Sequence, residues 1–244
     1  MTNFLRKKRG HKCGERLLPG DDLFPLLEKA QDFGIILTQV QQYQFRLYLD
    51  ELWQWNKKTN ITGISTREGV VVELFLESII PVGFFPEGAH VLDLGTGGGF
   101  PGLPAKICRP DLEVVLVESK RKKVNFLRHI IRLLALKGII VVHGRLEENS
   151  DQIVPSGYQV VTARALASLE KTVELGAPYL SPDGLLVGFQ GHHVDRAIGR
   201  CNRTMAQHGL VLHGKIPYTL PGTERRRHIV LFKRKGPGRR RKER

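Results

Sequence analysis

Residues 90–102 read H-V-L-D-L-G-T-G-G-G-F-P-G. A short apolar run, Val91, Leu92 and Leu94, enters a turn with glycine at 95, 97, 98 and 99, and Pro101 follows where a helix can begin. The pattern predicts a strand, a tight turn and a helix N-terminus. Glycine accepts positive φ and lets a ligand approach bare backbone. The unpaired N–H groups of a helix start favour an anionic ligand group. The next apolar run, Val114 to Val117, ends in Glu118, a carboxylate roughly 20 residues past the turn, where it can accept both hydroxyls of an adenosine ribose. Turn and carboxylate together point to a nucleoside cofactor. The alternative is a glycine-rich connection that binds nothing.

Gly97, Gly99 and Gly102 also satisfy G-x-G-x-x-G, so a dinucleotide competes for this site. Asp93 argues against it. A carboxylate just before the loop would repel a pyrophosphate, yet it suits the ammonium and sulfonium of S-adenosylmethionine. The electrostatics favour S-adenosylmethionine.

Working outward, strands are predicted near 90–94, 113–118, 139–143, 158–163 and 184–190, with helices near 102–108, 120–136, 168–180 and 192–208. Alternation of this kind implies an α/β fold with a mostly parallel sheet and right-handed crossovers. Two late strands, about 210–216 and 227–233, have only a loop between them and predict an antiparallel hairpin on one edge. Before residue 90 the periodicity is helical: a short helix over 21–33, a second over 38–55 capped by Thr38, and a third over 66–80 stopped by Pro81. Trp53 and Trp55 are read as core or hinge residues. Between the second and third helices, N-K-K-T-N-I-T-G (56–63) reads as a loop. Its Asn56, Lys57, Lys58 and Asn60 can reach a phosphate or a base edge, or can simply form an Asx-turn between helices.

The 244 residues include 41% hydrophobic ones, enough for a sizeable core. The three cysteines, Cys13, Cys108 and Cys201, are widely spaced, which suggests a reducing compartment without a disulfide framework or a cysteine zinc site. The histidines show no metal-ligand spacing, and no metal is expected. No run approaches a membrane span and the start has no signal-peptide core, so a cytoplasmic location is expected. The net charge is +14. Residues 1–16 carry six Lys/Arg against one Glu, and residues 224–244 carry eleven against two, while the middle is neutral. Basic tails on a neutral globule usually track a polyanion, most often nucleic acid. The division expected is a disordered basic tail over 1–20, a helical region over 21–85, an α/β domain over 86–235 and a second disordered tail over 236–244.

V-L-D-L-G-T-G-G-G-F-P-G-L-P, then V-E-S-K-R-K-K-V-N-F-L-R, G-R-L-E-E and T-A-R-A-L-A-S-L resemble the RsmG (GidB) family of small-subunit ribosomal RNA methyltransferases over roughly residues 38–233. The resemblance implies a Rossmann-like class I S-adenosylmethionine methyltransferase domain on a seven-stranded sheet, preceded by a helical part. It implies methylation of nitrogen 7 of a guanine in the decoding-region loop of 16S rRNA. Its partners would be 16S rRNA or the small ribosomal subunit, with no membrane and the chain acting as a monomer. Carried over by residue, the cofactor contacts are Gly95 and Phe100 in the loop, Leu146 and Glu147 after the third strand, and Arg164 at the end of the fourth; they join Gly97 of the glycine turn and Glu118 at the end of the second strand, read above from the residues themselves. Asn56, Lys57 and Asn60 match the family's N-K-x-x-N-I-T loop and are the RNA-binding candidates. The chain departs from the family where H-F-x-D-S becomes Leu74, Phe75, Leu76, Glu77, Ser78, and where Lys-Gly becomes Gln190-Gly191.

The implied chemistry needs no general base, because nitrogen 7 of guanine has a lone pair and no proton. No catalytic residue is assigned beyond Arg164, whose guanidinium is expected to position the guanine through its O6 edge. The alternative for Arg164 is a salt bridge holding the sheet edge. Rival functions are a methyltransferase acting on another RNA, a protein or a small molecule, an NAD-dependent enzyme, and a non-catalytic ribosome-associated RNA-binding protein. The A-R-A at 163–165 stands where amino-group methyltransferases often carry an Asn/Asp-Pro-Pro-Tyr motif.

Overall fold

The computed structural model describes residues 21–145, 153–164, 168–191, 193–224 and 226–234. Seven strands form one sheet: β1 (His90–Leu94), β2 (Glu113–Glu118), β3 (Ile139–His143), β4 (Tyr158–Ala163), β5 (Leu180–Gln190), β6 (Leu210–Thr219) and β7 (Arg226–Arg234). Their spatial order is β3-β2-β1-β4-β5-β7-β6. The first five are parallel, and β7 runs antiparallel to β5 and to β6. The order reverses at β1, where β2 leaves to one side and β4 lies on the other. In such sheets the carboxyl ends beside a reversal form the ligand crevice. The predicted hairpin is present, with β6 on the edge and β7 inside it.

Helices α5 (Gly102–Cys108), α6 (Arg121–Leu133), α7 (Leu169–Gly176) and α8 (Val194–Gln207) connect the strands. Helix α6 buries Val124, Leu127 and Ile130 on one stripe, as an amphipathic surface helix does. Ahead of the sheet come α1 (Phe24–Ala30) and α2 (Gln39–Thr59). Thr38 caps α2 as expected. Its hydroxyl accepts from Gln41 N–H while the Gln41 side chain accepts from Thr38 N–H, a reciprocal capping box.

The helix expected over 168–180 ends at Gly176, and β5 has already begun at Leu180. The N-terminal helices differ more from the sequence reading. Helix α2 does not stop at Trp55 but runs on to Thr59 and ends at Asn60, a residue at φ 46°. Asn56 and Lys57 therefore sit on its last turn rather than in a loop. The third helix is also not a uniform α-helix. A turn α3 (Arg67–Gly69) opens into a π segment over Val70–Leu76, closes into a turn α4 (Glu77–Ile79), and continues past Pro81 as a 3-10 stretch to Phe84. Three consecutive β-branched residues, Val70, Val71 and Val72, crowd an α-turn, and the wider π-turn that results frequently marks functional sites.

The N-terminal helices share a core with one face of the sheet: Leu23, Phe45, Tyr48 and Phe75 pack in one cluster with Val91, Leu116, Val160 and Val187. A second cluster on the other face joins Leu92, Leu94 and Val161 to Val173 and Met205 of α7 and α8. Burying each of these side chains contributes roughly 1.5–3 kcal/mol. The aromatic ladder Phe45–Phe75–Tyr48–Phe100 crosses from α2 into the glycine turn, and Tyr48 and Phe100 are stacked at 5.6 Å with 9° between their rings.

Candidate active site

The turn after β1 is held from three sides. From above, Thr96 N–H donates to Val117 O of β2 at 3.0 Å, and the N–H groups of Gly99 and Phe100 return to Thr96 O. From below, the wholly buried Asp93 carboxylate accepts Thr96 Oγ1–H at 2.6 Å, Gly102 N–H at 2.9 Å and Thr162 Oγ1–H at 3.0 Å. From the side, Tyr48 of α2 donates its hydroxyl to Gly98 O at 2.5 Å, while Ile61 is buried at the position a Gly98 side chain would need. Burial pushes the Asp93 carboxyl up to about 6, against the pull of its three hydrogen bonds and the nearby Arg164 charge. Burial, then the charge of Asp93, raises the Tyr48 hydroxyl well above its ordinary value.

Asp93 therefore acts differently from the sequence reading. It does not present a charge to a cofactor, because its oxygens bind the ends of the turn to each other and to β4. The electrostatic case against a pyrophosphate therefore loses its exposed carboxylate. Gly97 and Gly99 have φ of 62° and 107°, values that only glycine adopts without strain.

Strand register places the cofactor candidates side by side. Leu94 pairs with Val117 on one side and with Ala163 on the other. The next residue along each strand stands at this carboxyl edge, giving a row of Glu118, the last residue of β2 and still paired with His143 of β3, with Gly95 and Arg164 just past the ends of β1 and β4. Gly95 is exposed and Gly97 half-buried. Glu118 Oε2 accepts Gly97 N–H at 2.9 Å and Oε1 accepts Lys120 N–H at 2.7 Å. Each oxygen keeps a second lone pair, which suits the two hydroxyls of a ribose. Phe100 is placed differently. Its ring is buried in the aromatic ladder, so it offers a cofactor its backbone rather than its face. Leu146 and Glu147 lie outside the described residues, as do the tails over 1–20 and 236–244. Lys123 brings its ammonium over Gly97, where a side chain added to that glycine would meet it at 3.7 Å.

Arg164 is enclosed. Its Nη2 donates to the Glu73 carbonyl oxygen at 2.6 Å and pairs with Glu77 Oε2 at 2.7 Å, while its buried Nη1 has no hydrogen-bond partner among the described residues. Glu77, itself buried, also accepts from the hydroxyl of Tyr218 and from Arg227 Nη1 at 3.0 Å, and Arg227 Nη2 reaches Glu73 at 2.9 Å. Burial, then Glu77, raises the Tyr218 hydroxyl far above its ordinary value, so it stays a donor. The salt-bridge alternative for Arg164 is thus realised, but at the mouth of the site and with one donor left over. Sequence reading notes Glu77 only as a departure and passes over Tyr218 and Arg227. Tyr218 and Arg227 face each other across the β6–β7 hairpin, but Glu77 comes from a distant segment, and no local spacing links it to them.

Of the RNA-binding candidates, Asn56 spends its side-chain oxygen on Thr62 N–H at 2.8 Å; the bond ties the last turn of α2 to a residue six positions on and is not the Asx-turn of the alternative reading. Lys57, Lys58 and Asn60 are exposed. Among the described residues no group of three or more His, Cys, Asp or Glu could hold a metal, and no helix is long and apolar enough to cross a membrane.

A 3-2-1-4-5-7-6 sheet with a glycine turn after β1 and a carboxylate ending β2 defines a class I S-adenosylmethionine-dependent methyltransferase. Solved structures share the fold. A SAM-dependent methyltransferase from Aquifex aeolicus aligns with a TM-score of 0.52 at 17% identity over 71% of this chain and 97% of its own. M. jannaschii TYW2, crystallised with AdoMet, aligns with a TM-score of 0.52 at 16% identity over 64% of this chain and 73% of its own. The chain belongs to the GidB family, rRNA small subunit methyltransferase G, whose model matches residues 41–230. Relatives bearing the name ribosomal RNA small subunit methyltransferase G include that of Roseiflexus castenholzii, 38% identical over 85% of this chain and 90% of its own. Another, from Lachnoclostridium phytofermentans, is 33% identical over 85% and 87%.

Proposed function

We propose that the chain transfers the methyl group of S-adenosylmethionine to nitrogen 7 of a guanine in the decoding-region loop of 16S rRNA, working as a monomer in the cytoplasm on 16S rRNA or the small subunit. The observation that carries this reading is the row Glu118–Gly95–Arg164 across three strand ends, in a chain of the methyltransferase G family. The residues suit the cofactor. Glu118 has spare lone pairs for the ribose, Gly95 and Gly97 offer bare backbone, and Arg164 Nη1 is a buried donor without an acceptor. When bound, S-adenosylmethionine supplies a methyl group activated on a sulfonium.

The chain's own residues then align and enclose. Nitrogen 7 carries a lone pair and no proton, so no side chain has to remove one, and the carboxylate beside Arg164, Glu77, is taken up by Arg164, Arg227 and Tyr218. Alignment of two bound reactants contributes on the order of 7–11 kcal/mol in well-oriented systems. Arg164 supplies a donor for the O6 edge of guanine, beside nitrogen 7 on the same side of the base. A cleft of about 520 Å³ at the carboxyl ends of β4 and β5, lined by Ala163, Ser168, Glu170, Gln190 and Arg200, gives a base room to enter on that side. Leu146 and Glu147 are assigned to the adenine side of the cofactor, and Lys57 and Asn60 to rRNA phosphates. Labelled methyl transfer to small subunits that lack the modification tests the reading. Label in a single guanine, as 7-methylguanine, is the expected product, and label elsewhere or none contradicts it.

A further inference from the structure

Arg164 stands next to Gly95, where a cofactor sulfonium and a guanine that becomes cationic on methylation would both lie. A bare guanidinium there would repel both. The structure pairs it within a compact charge group, Arg164 and Arg227 against Glu73 and Glu77, with the hydroxyl of Tyr218 as a neutral donor and the buried Asp93 carboxylate within reach of the Arg164 charge. Glu77 lies at the centre. It is the only one of the five that touches Arg164, Arg227 and Tyr218 together. It comes from the turn after the π segment, whose Glu73 carbonyl takes the other bond from Arg164 Nη2. Nη2 is thereby fully engaged, and the buried Nη1 has no partner among the described residues.

We infer that Glu77 is a positioning residue that both aims Arg164 and cancels its charge, so that the site offers Nη1 as a hydrogen-bond donor without a net positive field against the sulfonium. Tyr218 and Arg227 hold Glu77 in that place and tie it to the C-terminal hairpin. The inference rests on the reading that Arg164 faces the cofactor and the guanine.

The test compares S-adenosylmethionine, which carries the sulfonium, with S-adenosylhomocysteine, whose sulfur is neutral. Their affinities for the full chain are measured by calorimetry, with methyl transfer followed in parallel. Glu77→Gln leaves the group one charge positive, so the ratio Kd(S-adenosylmethionine)/Kd(S-adenosylhomocysteine) should rise on the order of tenfold. Arg164→Ala leaves it one charge negative, and the ratio should fall. The double variant is neutral again. It should return the ratio to near the wild-type value while methyl transfer stays lost, because the donor is gone. Glu77→Asp, which restores the family's usual residue, should keep the wild-type ratio. A merely structural Glu77 would weaken both ligands alike and give no compensation in the double variant, and that result overturns the inference. Should Glu77→Gln not fold, Arg164→Ala decides: an unmoved ratio overturns it. If Arg164→Ala changes neither binding nor transfer, the placement of Arg164 itself fails. If it abolishes transfer while a folded Glu77→Gln protein leaves the ratio unmoved, only the role of Glu77 fails.

Discussion

The hydroxyl of Tyr48, on helix α2, donates to the carbonyl oxygen of Gly98 in the turn after β1 at 2.5 Å. A residue fifty positions upstream of the glycine turn thus helps to set its shape, and the helical region is part of the cofactor-loop support. Tyr48→Phe removes the donor and leaves a buried carbonyl unsatisfied, which costs about 1–3 kcal/mol. Chemical denaturation should show that loss, and S-adenosylhomocysteine affinity should fall with it. Unchanged affinity would mean the turn keeps its shape without α2.

Gly99 and Gly97 separate packing from ligand access. A side chain at Gly99 would run into Leu103 and the Tyr48 hydroxyl at a φ of 107°. Gly99→Ala should therefore destabilise the fold by about 1–3 kcal/mol from overpacking, with a further penalty of similar size from the backbone. At Gly97 a side chain would meet only ordinary contacts, Lys123 Nζ at 3.7 Å and Gly95 O at 3.9 Å, so the φ of 62° alone opposes it and no overpacking is added. Gly97→Ala should lose more in cofactor affinity than in stability. Melting curves with and without S-adenosylhomocysteine distinguish the two, and equal behaviour of the variants would contradict this division.

Asp93 makes the loop sensitive to pH. Its folded-state carboxyl lies near 6, raised from 3.8 by burial. The folded chain therefore holds that proton more tightly than the unfolded chain does. Between 3.8 and about 6 the Asp93 contribution to stability falls as pH rises, and above about 6 it is constant. Protonation, however, removes acceptor capacity from a carboxylate that serves Thr96, Gly102 and Thr162. S-adenosylhomocysteine affinity should drop as pH falls through about 6. Asp93→Asn should bind weakly and without that step, and persistence of the step in Asp93→Asn would assign it to another group.

Much of this architecture is legible in the chain. The five parallel strands announce themselves as apolar runs such as Val114–Val117, Thr38 announces itself as the cap of α2, and the glycines with Glu118 mark the cofactor end. Contacts that join distant segments are not legible. Nothing near Tyr48 says that its hydroxyl reaches Gly98, and nothing near Glu77 says that Arg164, Tyr218 and Arg227 converge on it. Asp93 is visible as a carboxylate before the loop, but only burial shows that its oxygens face inward. The π segment at Val70–Leu76 keeps a helical apolar pattern, so periodicity reads it as α. The end of α2 is misplaced because its last turn, Asn56–Thr59, is polar, and polarity reads as loop.

RNA affinity should depend steeply on salt. Contact with six to ten phosphates would lower it on the order of a thousandfold or more between 50 and 200 mM salt. Deleting residues 1–16 and 236–244 should flatten that dependence while leaving S-adenosylhomocysteine affinity unchanged. The exposed Lys57, changed to Ala, should reduce the log–log slope by about one. An unaltered slope after deletion would remove the tails from the RNA interface.

The most direct measurement is transfer of labelled methyl from S-adenosylmethionine to small ribosomal subunits and rRNA lacking the modification, with wild type and Arg164→Ala side by side. Label on nitrogen 7 of one guanine, lost or reduced on the order of a hundredfold in Arg164→Ala, is the predicted result. Equal labelling by both proteins, or cofactor binding without any transfer to these substrates, would contradict it.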